Sequence, residues 1–255
     1  MAKSQPEKGS ARRKVEQIRR EQRARTIRMR VLAGVGATIV VAAVATGIAL
    51  AAGGGTSSTS GTSSPSGTSS PSGTSGTTSG PLGPEGIALE TGPALAPAST
   101  AATGQTVGGI QCEASEQAVY HIHSHLAVYV DGSVRQIPLG IGVVEPAVQQ
   151  TANGPFASAT RCYYWLHTHT NDGIIHIESP SRHTYTLGNF FDIWRQPLST
   201  HQAGPATGTV TAFVNGTKYS GDPRAIPLGS HTDIQLDVGS PAVPPTSVDW
   251  SKAQL

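Results

Sequence analysis

The chain has 255 residues, with 18 Lys and Arg, 16 Asp and Glu, nine His, two Cys and two Met, for a formal charge of +2. The basicity is local: residues 1–30 hold 11 of the basic residues and 3 of the acidic ones, leaving 7 basic against 13 acidic over the remainder. A net-negative remainder without a basic patch argues against nucleic acid as a partner. With Met1 and Met29 as the only methionines, a thioether-rich copper carrier and a Met-ligated copper site are excluded as well.

In chain order, residues 1–30 read as a basic cytoplasmic tail lying against anionic lipid headgroups. Residues 31–52 contain no charge and are rich in Val, Ala, Ile and Leu, enough helix to cross a hydrocarbon core of roughly 30 Å. The basic flank before them puts the N-terminus in the cytoplasm and the rest outside, as a single-pass protein of the cell membrane. A cleaved leader is the competing reading, since Ala49-Leu50-Ala51 has the pattern of a cleavage site; the apolar run exceeds the roughly 7–15 residues usual for one. Residues 53–106 are rich in Ser, Thr, Gly and Pro and read as a disordered linker. A β domain over residues 107–239 and a C-terminal tail over 240–255 complete the division.

Within the domain, Tyr120–Val130 alternates, with Tyr120, Ile122, Leu126, Val128 and Val130 on one face and His121, His123, His125, Ala127 and Tyr129 on the other. Asp131-Gly132 turns the chain into a strand over residues 134–137, and another strand is expected over 163–170. Thr186 is placed to cap a helix whose Leu187, Phe190, Phe191 and Trp194 form one apolar stripe, closed by Pro197. Strands over 209–214 and Thr217–Tyr219 flank an Asn215-Gly216 turn, and a last strand covers 233–238. Residues 127–140 and 212–229 echo each other, each with an Asp-Gly or Asn-Gly turn followed by Ile-Pro-Leu-Gly, so two similar hairpins are implied. The expected fold is mainly β: an antiparallel sandwich or barrel with one short helix, behind one transmembrane helix and a disordered linker.

Residues 167–178 read His-Thr-His-Thr-Asn-Asp-Gly-Ile-Ile-His-Ile-Glu. Asp172-Gly173 is a strong hairpin signal, because a type I′ turn needs positive φ at both central residues. That register pairs His169 with His176 and His167 with Glu178, gathering three imidazoles and a carboxylate on one face, with Leu166, Ile175 and Ile177 behind. Centring the loop on Asn171 and Asp172 keeps the same four on one face and re-pairs them; an odd loop length would put His176 behind the sheet.

His121, His123, His125, His167, His169 and His176 fall within 56 residues, and His-x-His on a strand aims two imidazoles at one ion. The alternative is an ordinary solvated strand face, but such faces use Thr, Lys and Glu. These six, with His231 before the last strand, are the candidate metal ligands, and Glu178 is the candidate acid–base group. Nitrogen-rich ligation leaves Cu(II), Zn, Fe(II) or Ni; an extracytoplasmic location favours copper or zinc. Cys112 and Cys162 have two readings: a disulfide tying the histidine strands together, or two thiolate ligands.

The motifs His-x-His-x-His, Leu-His-Thr-His-x-x-x-Gly-x-Ile-His-x-Glu-Ser-Pro and Leu-Gly-x-Phe-Phe-Asp-x-Trp resemble an uncharacterised family of membrane-anchored prokaryotic exported proteins. That resemblance spans most of the domain and brings no activity with it. A looser likeness, in the His-x-His pairs alone, is to cupins, multicopper oxidases and α-class carbonic anhydrases. Two functions are therefore expected: a tethered extracytoplasmic protein that binds copper or zinc, or a metal-dependent oxidoreductase or hydrolase with a three-His site.

Overall fold

The longer strands of the central sheet, Tyr120–Val130, Val210–Val214 and Thr232–Val238 among them, trace to runs with a period of two bounded by turn residues. The computed structural model describes residues 80–255 and the backbone of Gly76 and Thr77. In it β1 (Gly76–Thr77) and β2 (Cys112–Glu113) precede β3 (Tyr120–Val130), which a turn at Asp131 and Gly132 (φ 49° and 74°) returns into β4 (Ser133–Arg135). A long hairpin of β5 (Val143–Thr151) and β6 (Gly154–Tyr164) follows, then β7 (Leu166–His167) and β8 (Ile174–Ser179). Helix α1 (Leu187–Trp194) leads into three two-residue strands, β9 (Leu198–Ser199), β10 (Gln202–Ala203) and β11 (Ala206–Thr207). Then β12 (Val210–Val214) and β13 (Thr217–Tyr219) flank Asn215 and Gly216 (φ 49° and 75°), and β14 (Thr232–Val238) and β15 (Thr246–Ser247) end the set.

The fold is mainly β, and its largest sheet runs β13-β12-β14-β3-β8-β7, with β4 also on β3. This sheet is open at both edges, so the expected barrel does not form; the arrangement is that of a sandwich. It is also mixed, because β14 runs parallel to β3 while the other pairs are antiparallel. The two echoed hairpins, β3–β4 and β12–β13, both form and lie on either side of β14. A second sheet, β2-β6-β5, contains the hairpin that propensity missed. Residues 143–164 carry Pro146, Pro155 and few alternating apolar residues, and most of β5 is exposed; its two strands are held by pairing to each other, with a bulge between Val144 and Pro146.

The two faces of the central sheet differ as the alternation in β3 requires. On one, Leu126, Val128, Leu166, Ile175, Ile177, Ile234 and Leu236 are fully or almost fully buried and join one core with Leu187, Phe190, Phe191 and Trp194 of α1. The helix forms as its sequence indicates. Thr186 accepts from the Asn189 amide and the Asn189 side chain accepts from the Thr186 amide, a reciprocal cap, and Arg195 ends it in the left-handed region at φ 57°.

The other face carries the histidines and is covered by segments that composition had set aside. Within residues 80–106, expected as linker, Ile87 packs on this face against Ile174, while Leu95, Ala96, Ala101 and Ala102 are buried in the core with α1. Residues 240–255, expected as a tail, supply Val248, which packs with Ile87 and Ile174, and Thr246, whose amide and hydroxyl donate to the buried Gln235 side chain. The backbone amide of Gln254 also donates to the Glu85 carbonyl, joining the two segments. Composition failed here because Pro, Gly and Ala carry no period, yet a few apolar and carboxylate anchors suffice to dock such chain on a sheet.

Among the described residues no helix is long and apolar enough to cross a membrane. The tail over 1–30, the apolar run 31–52 and the linker before residue 76 lie outside the described residues.

Candidate metal centre

The turn that was to build the site is not the one that forms. In the ladder Leu166 faces Ile177 and His167 faces His176, the register centred on Asn171 and Asp172 rather than on Asp172 and Gly173. Only Gly173 has positive φ (80°); Asp172 is buried and its Oδ1 accepts from the Ile174 amide instead. The pairing stops after His167 because Thr168 turns to exchange backbone hydrogen bonds with Gly140 and Ile141. Gly173 is needed on steric grounds too: a Cβ there would lie 2.5 Å from the Leu126 carbonyl oxygen and 2.9 Å from His125 Nε2. Because the shift is by an even number of pairings, the imidazoles stay on one face.

The protonation of the inner pair follows from its partners. His167 Nδ1 lies 2.8 Å from the Tyr164 carbonyl and His169 Nδ1 lies 2.7 Å from the Ala157 carbonyl. A carbonyl only accepts, so each Nδ1 carries the proton and each Nε2 turns a lone pair inward. Those two Nε2 atoms face each other at 3.1 Å, both rings being buried. Two lone pairs at that separation repel, whereas two nitrogens about 2.0–2.1 Å from a common ion sit about 3 Å apart. Phe156 of β6 stacks on His169 with ring centres 4.5 Å apart and fixes its plane.

The outer set is built across β3 and β8, where His123 faces His176 and His121 faces Glu178. His121 Nε2 is 2.9 Å from His123 Nε2, which is 3.1 Å from His176 Nδ1. Glu178 Oε1 closes the ring, 3.2 Å from His176 Nδ1 and 3.1 Å from His121 Nε2. Two overlapping groups therefore have ligand atoms mutually within 4.8 Å: His121, His123, His176 and Glu178, and His167, His169, His176 and Glu178. The Glu178 carboxylate, expected as the acid–base group, stands among these candidate ligand atoms.

Two expected ligands are not brought in. His125 is buried one step further along β3, beside Gly173, with Nδ1 3.8 Å from Asp233 Oδ1. His231 is used structurally: its amide donates to the His123 carbonyl and its ring stacks on Trp250 at 4.6 Å. Two carboxylates were missed. Glu85 Oε1 lies 2.9 Å from His176 Nε2, and Glu116 Oε1 lies 3.4 Å from His169 Nε2. The available signal for Glu85 was the break at residue 80, where the Ser/Thr repeat gives way to Glu85, Ile87, Leu89 and Glu90. Cys112 and Cys162 form a disulfide joining β2 to β6, which removes the thiolate reading.

The electrostatics divide the imidazoles into two kinds. Burial, then the His176 charge, pushes His167 down to about 4, and His169 is likewise well below the imidazole range. Burial and the charges of His176 and His121 push His123 down to about 2. His176 goes the other way: burial lowers it, but Glu85 and Glu178 outweigh burial and raise it to about 10. For Glu178, burial raises the carboxyl, but hydrogen bonds from His121 and His176 outweigh this and hold it well below the carboxylate range. His123, His167 and His169 are thus neutral donors beside one ionised carboxylate, the state a transition-metal ion requires of its ligands, whereas His176 must first give up a proton.

Set against known proteins, the chain matches no family model, no curated protein and no solved structure.

Proposed function

We propose that the chain is a membrane-tethered, extracytoplasmic protein that binds a transition metal, copper or zinc, through the histidines of its β domain. The observation that carries the reading is the inner pair, His167 and His169, whose Nε2 lone pairs face each other at 3.1 Å while both Nδ1 atoms are committed to carbonyls. Imidazole with one carboxylate suits copper(II) and zinc. Binding is favoured over turnover because Glu178, the acid–base candidate, is at ligand distance from two imidazoles. Export is supported by the Cys112–Cys162 bridge, which persists in oxidising compartments. The tether is supported by the uncharged run 31–52 behind a basic flank.

Elemental analysis of the full chain, purified from an exporting host without chelators, tests the reading. We expect about one equivalent or more of copper or zinc, falling sharply in the double variant His167→Ala, His169→Ala. Less than about half an equivalent, unchanged in that variant, overturns it. Protease accessibility of the β domain in intact cells tests the location, and protection of that domain would refute export.

A further inference from the structure

The six ligands do not fit one ion. Two ligand atoms on a common ion at about 2.0–2.2 Å are at most about 4.4 Å apart, even when trans. The His121–His123 and His167–His169 pairs do not fall together in one group of atoms within 4.8 Å, yet each pair does so with His176 and Glu178. We propose that the centre holds two transition-metal ions side by side, bridged by the Glu178 carboxylate. The inference rests on the metal-binding reading above and adds a second ion to it.

The outer ion is held by His121 Nε2, His123 Nε2, His176 Nδ1 and Glu178 Oε1, whose successive separations are 2.9, 3.1, 3.2 and 3.1 Å. A closed ring of edges near 3 Å is what four ligands at about 2.1–2.2 Å from one ion produce. His176 serves this ion alone, because its other nitrogen, Nε2, is held by Glu85. The inner ion is held by His167 and His169. Glu178 Oε1 also faces it, 4.0 Å from His167 Nε2, so this oxygen lies between the two positions and bridges them. Glu116, 3.4 Å from His169 Nε2, completes the inner set. A carboxylate between two ions about 3.5–4 Å apart is a common way to hold such a pair. The two positions differ in access: the His121 side chain is 41% exposed while that of His167 is 0% exposed, so the outer ion faces solvent and the inner one is enclosed.

Titration of the full chain with Cu(II), read by elemental analysis and electron paramagnetic resonance, tests the proposal, with Zn(II) loading followed by native mass spectrometry as an independent count. We expect saturation at about two equivalents and fewer observable spins than copper atoms, because two ions this close couple. The variant His121→Ala, His123→Ala should keep about one equivalent, with the full spin count of an isolated Cu(II). Saturation of the wild type at one equivalent overturns the two-ion proposal and leaves the metal-binding reading standing. No binding of either metal overturns both. Should the double variant fail to fold, seen as loss of the far-ultraviolet dichroism of the wild type, the wild-type stoichiometry and spin coupling decide alone.

Discussion

His176 is the one imidazole of the centre for which a proton and a metal ion compete. With its pKa raised to about 10 by Glu85 and Glu178, against the effect of burial, it carries a proton at pH 7 that an incoming ion must displace. Calorimetry in buffers of different ionisation enthalpy should therefore show about one proton released on metal binding at pH 7; no release would contradict the charge assigned to His176. Glu85→Gln removes the carboxylate that fixes the His176 tautomer. Its metal affinity, measured by chelator competition, should fall by about 10–100-fold with the saturating stoichiometry unchanged. His125 and His167 act on stability: burial lowers both to about 4. Folded values below the unfolded 6.5 mean a contribution present above pH 6.5 and lost as pH falls through about 4. Asp172 opposes them, since burial and Glu85 raise it to about 7; its contribution is full below its unfolded value and lost as pH rises through about 7. His123 and His169, lowered as well, act in the same sense, and Glu90, raised by burial, acts with Asp172. The urea midpoint of the metal-free wild type should thus fall as pH is lowered from about 6.5 to 4, four histidines against these two deeply buried carboxylates. In Asp172→Asn that fall should be steeper. An unchanged midpoint across the window in Asp172→Asn would contradict the neutral state assigned to His125 and His167.

The disulfide and the capped helix each hold an element that supports the site. Cys112 and Cys162 are 50 residues apart, and the bridge anchors β2 to β6, the strand whose Phe156 and Ala157 carbonyl position His169. Converting both to Ser should cost about 2–4 kcal/mol of unfolding free energy, read by denaturant titration. It should loosen the inner histidine pair before the outer one, because β3 and β8 pair directly with each other. On the side of the central sheet away from the histidines, Thr186→Ala removes the side-chain acceptor of the α1 cap and should cost about 1 kcal/mol without changing metal content. The helix was legible because caps and a 3.6-residue stripe are local. The β5–β6 hairpin was not, since its pairing compensates for a sequence with neither apolar alternation nor strong propensity.

Over the whole molecule, the histidine face is buried by chain on both flanks of the domain that hydrophobic pattern delimits. A fragment over residues 107–239 would lack Glu85, Ile87 and Val248 from this face and Leu95 from the core with α1, each of which is buried. Such a fragment should show no cooperative thermal transition, or a markedly lower one, in circular dichroism, and should bind metal weakly. A fragment over 76–255 should match the full chain in both respects. Equal stability of the two fragments would mean that the flanking segments do not hold the face shut.

Alternation of His with apolar residues in β3 and β8, two left-handed turns, the stripe and cap of α1, and six clustered histidines were all readable from the sequence. They depend on residues a few positions apart, and local sterics and the period of two determine them. The tertiary structure alone decided the β7–β8 register, the parallel β14–β3 pair, the exclusion of His125 and His231, and the arrival of Glu85 at His176 across 91 positions. Those outcomes follow from which distant segment docks where. A Pro-, Gly- and Ala-rich strap carries no periodic signal of its own docking. The register of a short strand is likewise fixed by the hydrogen bonds its neighbours take up, here those of Gly140 and Ile141 with Thr168. The hairpin of residues 167–178 thus supplied the ligands, and the chain packed over it determined which of them meet.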